Sequence, residues 1–138
     1  MTIHLVPLLA LAVVLAACDP RLRPDSNLSP REIQALSGTL EGRSSLSSGE
    51  KDCPPYYLWT LRVGGGNVDG EIVNAETPRA PVTKFSTFLD YDGTLRALAR
   101  PGGTDTTIQG TFHRDSFSGE SKTARCAYNV RLRRTAGS

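Results

Sequence analysis

The chain has 138 residues, enough for one domain with a single core, and its 38% hydrophobic content lies below the globular norm of about 45–50%. Sixteen basic and fourteen acidic side chains leave a formal charge of +2, too weak an excess to point to nucleic acid as a partner. The 13 glycines and 9 prolines are scattered along the chain, which suits many short strands better than a few long helices.

The N-terminal segment comes first. The apolar run Leu5–Ala17 is shorter than the roughly 20 residues a membrane-spanning helix requires. A short apolar run ending in small residues reads as the hydrophobic region of a signal peptide, here residues 1–17. Its last residues and the next are Leu15-Ala16-Ala17-Cys18. This tetrapeptide resembles the lipobox of bacterial lipoproteins at all four positions, although Met1-Thr2-Ile3-His4 lacks the usual Lys or Arg. The resemblance implies that Cys18 takes a diacylglyceryl group, that cleavage precedes it, and that the new amine is acylated. Cleavage at the small residues without lipidation is the alternative. Each buried CH₂ contributes about 0.8 kcal/mol, so two acyl chains suffice for stable anchoring. Asp19 resembles an inner-membrane retention signal of enterobacterial lipoproteins; the choice of membrane stays open.

The lipobox places the domain outside the cytoplasm, where disulfides persist. With Cys18 committed to lipid, Cys53 and Cys126 are expected to pair. They would close a loop of roughly 70 residues and stabilise by roughly 4 kcal/mol. A metal site is the alternative, but two lone cysteines without a Cys-x-x-Cys or a nearby His pair make a poor ligand set. Neither a metal nor a cofactor is expected.

Residues 18–28 are polar with two prolines and read as a tether. The domain is expected over 29–138. Ser29-Pro30-Arg31-Glu32 forms a capping box with Pro at the first helical position, and Leu28 and Ile33 are spaced as a hydrophobic staple. The pattern predicts a short helix over 30–36, ended by Gly38. A first short strand follows over Gly38–Arg43, then a polar loop over Ser44–Lys51. Tyr57, Trp59, Leu61 and Val63 alternate as a second strand with an aromatic-rich inner face. Gly64-Gly65-Gly66-Asn67 turns the chain into Val68, Gly70 and Ile72. Thr77–Pro81 breaks the pattern. Phe85, Leu89 and Tyr91 then share one face up to an Asp92-Gly93 hairpin turn.

Leu95, Ala97 and Ala99 follow, and Pro101-Gly102-Gly103 turns again. Thr106, Ile108, Gly110 and Phe112 lead to a turn at His113-Arg114-Asp115, and Phe117 with Gly119 makes a short strand. Cys126, Tyr128, Val130 and Leu132 form the last one. Together these give a mainly β domain: an antiparallel meander of seven or eight strands closing as a barrel or folding as a sandwich, with one short N-terminal helix. Cys53 shares parity with Trp59 and Cys126 with Tyr128, so both sulfurs are expected inside, tying the second strand to the last.

His113 lies beside Asp115, Ser116 and Ser118, and a His–Asp pair can orient a base; turn propensity explains these residues equally well. No Gly-x-Ser-x-Gly, His-Glu-x-x-His or phosphate-cradling loop occurs, and Gly64-Gly65-Gly66 opens no helix. Asp90 and Asp92 can hold a weak cation or simply lead into a turn. Trp59 reads as core rather than a ligand platform. On the last strand Arg125, Arg131 and Arg133 face outward with Arg134 adjacent. This basic edge can meet anionic lipid headgroups, glycan phosphates or an acidic envelope protein, or it can protect the edge from aggregation.

The expected function is therefore a non-catalytic binding or structural module, anchored to the membrane through lipid on Cys18 and facing the periplasm or exterior. In overall plan alone, such a small anchored barrel resembles periplasmic inhibitors of proteases or lysozymes. An envelope hydrolase using His113 is a further alternative, as is a structural subunit of an envelope assembly.

Overall fold

Period-two alternation of apolar and polar residues folds the chain into eight antiparallel strands around one core. The structure is a computed structural model and describes residues 28–77, 79, 81–100 and 104–135. The segment 1–17, Cys18, the tether to residue 27 and the turn at Pro101-Gly102-Gly103 lie outside the described residues.

A short helix, α1 (Pro30–Gln34), precedes the strands β1 (Gly38–Gly49), β2 (Tyr56–Gly64), β3 (Asn67–Asn74), β4 (Thr83–Phe88), β5 (Thr94–Ala99), β6 (Thr106–Phe112), β7 (Ser116–Lys122) and β8 (Cys126–Arg134). The sheet order is β4-β3-β2-β1-β8-β7-β6-β5, so each strand pairs with its chain neighbours except where β1 joins β8. The two outer strands then meet. Leu89 bridges Leu95, and the Thr87 hydroxyl donates to the Arg96 carbonyl at 2.9 Å. The result is a nearly closed barrel, which removes most of the sheet's exposed edge.

The meander gives the barrel two distinct ends. At one end lie α1 and the β2–β3, β4–β5 and β6–β7 turns. The β2–β3 turn is a two-residue hairpin in which Gly65 and Gly66 have φ of 59° and 80°, the primed geometry that matches strand twist. Helix α1 plugs this end. Ser29 caps it, its hydroxyl accepting from the Glu32 N–H at 3.2 Å, and Ile33 and Leu36 drive into the core at 0% and 8% exposure. Leu28 packs against the same cluster, as a staple requires. Five residues cannot hold a helix in water; burial of Ile33 and Leu36 does so, each contributing about 2 kcal/mol.

Four sequence expectations change. The helix ends at Gln34, two residues early, because Ala35 closes it. Strand β1 runs on through Ser44–Gly49, where a polar loop was expected. Strand β8 pairs with it as far as Gly49, β2 pairs with it as far as Ser45, the Leu46 N–H donates to the Pro55 carbonyl, and a register shift between Leu46 and Ser48 absorbs the irregularity. Strand β7 likewise extends beyond Gly119, with Ser121 turned inward. Tyr91 leaves the face of Phe85 and Leu89 and is exposed in the β4–β5 turn.

Candidate functional site at the open end of the barrel

The inner wall changes character along the barrel axis. Near α1 it is wholly apolar, with Leu61, Val68, Leu95, Phe112 and Phe117 buried. Toward the other end, Ser44, Thr106, Ser121 and Tyr128 enter the interior, and Tyr57 joins them half-buried. The strand ends that lead into the β1–β2, β3–β4, β5–β6 and β7–β8 connections lie at this end. A cavity of about 240 Å³ opens between them, walled by Tyr57, Trp59, Ile72, Thr106, Ser121 and Tyr128.

The wall is held by side-chain hydrogen bonds. Trp59 Nε1 donates to Ser44 Oγ at 3.0 Å, which turns the N–H edge of the indole toward β1. Tyr128 donates its hydroxyl to the Pro54 carbonyl at 2.8 Å. The Tyr57 and Tyr128 rings meet edge to face with centroids 5.3 Å apart. Burial pushes both phenols up; at Tyr128 the neighbouring Tyr57 adds to the effect, and at Tyr57 the Tyr128 hydrogen bond opposes it. Both hydroxyls are thus neutral at physiological pH and act as hydrogen-bonding groups, not as acids.

The rim is braced covalently. Cys53 and Cys126 are bonded with S–S 2.03 Å and Cα atoms 5.9 Å apart. Cys126 opens β8, but Cys53 sits in the β1–β2 connection and not on β2 as parity suggested, since Pro54 and Pro55 delay the strand to Tyr56. The bridge therefore ties a rim loop to β8. Arg125 reinforces it: its guanidinium pairs with Glu50 and lies 3.1 Å from Asp52, all three exposed.

The four outward arginines of the sequence reading do not form one edge. Strand β8 is paired on both sides, by β1 and β7, so edge protection is not their role. Arg125 belongs to the rim and is bound to acidic neighbours. Arg134 is a clamp at the helix end, donating to the Arg114 carbonyl at 3.1 Å and to the Ser37 carbonyl, with Nε 3.4 Å from Asp115. Arg131 and Arg133 alone share the outer face of β8.

His113 sits in the β6–β7 turn, at the end away from the cavity, its N–H donating to the Ser116 carbonyl at 2.8 Å. Asp115 is engaged by Arg134. Asp92 accepts the Thr94 N–H at 2.9 Å, and this bond holds its carboxyl below the usual range, the behaviour of a turn residue. No family model and no curated protein matches this chain. The site must therefore be read from its own groups. These are three aromatic rings, one isoleucine and a few hydroxyls inside, with opposite charges confined to the rim. Such a wall suits binding of a small uncharged or amphipathic group. Thr106 keeps the face it shares with Ile108 in the sequence, whereas Ser44 and Ser121 went unnoticed; their one signal is inward parity with Leu40 and Phe117.

Proposed function

We propose that this chain is a bacterial envelope lipoprotein, anchored through lipid on Cys18, whose barrel acts as a non-catalytic binding or structural module. The observation that carries the reading is the Cys53–Cys126 bridge, a cross-link over 73 residues of a kind that persists in oxidising compartments. It agrees with the compartment that the Leu15-Ala16-Ala17-Cys18 motif implies. The described chain begins at Leu28, at the helix end. An anchor ten residues upstream can reach at most about 35 Å. A membrane on the α1 side would leave the open end with its cavity free as the binding surface.

A periplasmic inhibitor of a protease or lysozyme is the second reading. Its support is the β1–β2 connection, where Lys51 is exposed on a loop held by Cys53 and by the Arg125–Glu50 pair.

The test is fractionation of cells expressing the wild-type chain and Cys18→Ala. The wild type is expected in the membrane fraction and the variant, still disulfide-bonded, in the soluble envelope fraction. A Cys18→Ala protein that is processed and still membrane-bound would overturn the lipid anchor, and free Cys53 and Cys126 thiols in cells would overturn the compartment.

A further inference from the structure

We propose that the outer face of the four adjacent strands β2, β1, β8 and β7 is a docking groove for an acidic segment of a partner protein. This surface is separate from the open end and does not depend on the anchor. It forms an open trough of about 1090 Å³, against about 240 Å³ at the open end.

The charge pattern carries the inference. Arg43 on β1 stands directly opposite Arg131 on β8, and Arg133 lies two residues further along the same face. Like charges directly opposite on neighbouring strands repel, and a strand pair without a use for them gains by replacing one. Among the described residues no carboxylate comes within ion-pair distance of Arg43, Arg131 or Arg133, although seven such pairs form elsewhere on the surface. Glu41, opposite Arg133, is the one acidic residue of the groove. Three guanidinium groups against one carboxylate leave the groove positive on a nearly neutral protein.

The groove is also prepared for a narrow occupant. Arg43 is held over the Tyr56 ring at 5.7 Å, so part of its side-chain freedom is already lost. Ser116 and Ser118 stand opposite Arg133 and Arg131 on β7 and add hydroxyl donors. Leu58, 47% exposed, gives an apolar contact on the β2 side. Guanidinium groups bind carboxylates through paired charge-assisted hydrogen bonds. A concave trough spanning four strands admits an extended chain, whereas a flat bilayer touches only its margins.

The experiment uses the full-length chain with Cys18→Ala, which removes any lipid anchor, and a fluorescent oligoglutamate peptide as the probe. The peptide is expected to bind at low salt and to weaken as salt rises. Arg43→Gln/Arg131→Gln/Arg133→Gln is expected to bind at least tenfold more weakly. Arg62→Gln, on β2 and paired with Glu71 at 3.1 Å, is expected to bind as the parent does. If the triple variant does not fold, single Arg131→Gln is expected to give the same direction with a smaller loss. Equal binding by these variants overturns the proposal, as does absence of peptide binding. Binding to phosphatidylglycerol vesicles without peptide binding also overturns it, in favour of a headgroup surface.

Discussion

Ser44 and Trp59 are hydrogen-bonded in the interior, Trp59 Nε1 to Ser44 Oγ at 3.0 Å, with exposures of 0% and 2%. A buried indole N–H without a partner costs about 1–3 kcal/mol. Ser44→Ala is therefore expected to destabilise by about 1–3 kcal/mol, read from the urea midpoint at unchanged slope. A midpoint equal to wild type would mean that water from the neighbouring cavity replaces the hydroxyl. The bond also gives one polar residue of β1, Ser44, a use in the interior.

The Cys53–Cys126 bridge closes a loop of 73 residues. On the chain-entropy view, reduction costs roughly 4 kcal/mol, a large share of a small domain's stability. Adding reductant is expected to lower the thermal midpoint markedly. Cys53→Ala/Cys126→Ala is expected to reproduce the loss and to be insensitive to reductant. A reductant effect that persists in the double variant would place its origin elsewhere.

Much of this fold is written in local pattern, and the site is not. Alternation at Tyr57–Val63 and Cys126–Leu132, the glycine turn at Gly65-Gly66 and the Asp92-Gly93 hairpin all depend on residues near in sequence, and they set the strand order of a meander. Strand β1 escaped beyond Arg43 because Ser44–Gly49 has almost no apolar residue; its strand character comes from pairing with β8 throughout and with β2 as far as Ser45. The same reason hid Ser121 in the cavity wall, since it becomes interior only when the barrel brings it beside Tyr128. Arg43 and Arg131 lie far apart in sequence, and register alone sets them face to face.

That register makes a stability prediction independent of any partner. Opposite charges directly across a strand pair are favourable by roughly 0.2–1 kcal/mol and like charges are unfavourable. Arg131→Glu is expected to raise stability by about 0.5 kcal/mol at low salt and by less at high salt, as measured by urea unfolding. A decrease at low salt would show that Arg43 does not feel Arg131.

The two tyrosines at the open end predict an alkaline limit. Burial raises the pKa of both Tyr57 and Tyr128 in the folded state. A raised pKa contributes stability that is fully present below the unfolded value of about 10 and is lost as pH climbs through the folded value. The urea midpoint is expected to fall as pH rises above about 10, with tyrosinate absorbance from these rings delayed relative to free phenol. Tyr128→Phe is expected to cost about 1 kcal/mol at neutral pH, through the lost bond to Pro54, and to flatten the alkaline decline. An unchanged decline in that variant would assign it to other groups.

Barrel curvature makes the last prediction. Gly70 on β3 stands directly opposite Phe85 on β4, and the Phe85 ring lies across it, so that a Cβ at Gly70 would fall 2.1 Å from a ring carbon. The aromatic ring fills the space that the missing side chain leaves and lets β3 coil inward. Phe85 in turn meets Trp59 edge to face at 6.1 Å, so the ring cannot swing aside without disturbing the indole. Gly70→Ala is expected to cost about 1–3 kcal/mol from overpacking. Phe85→Leu alone is expected to cost less than about 2 kcal/mol, since it keeps an apolar group at the position. Because the two changes act on one contact, the double variant is expected to be more stable than the sum of the single losses requires. Simple additivity in urea unfolding would mean that Gly70 serves the bend of β3 by itself and that the Phe85 ring takes no part in it.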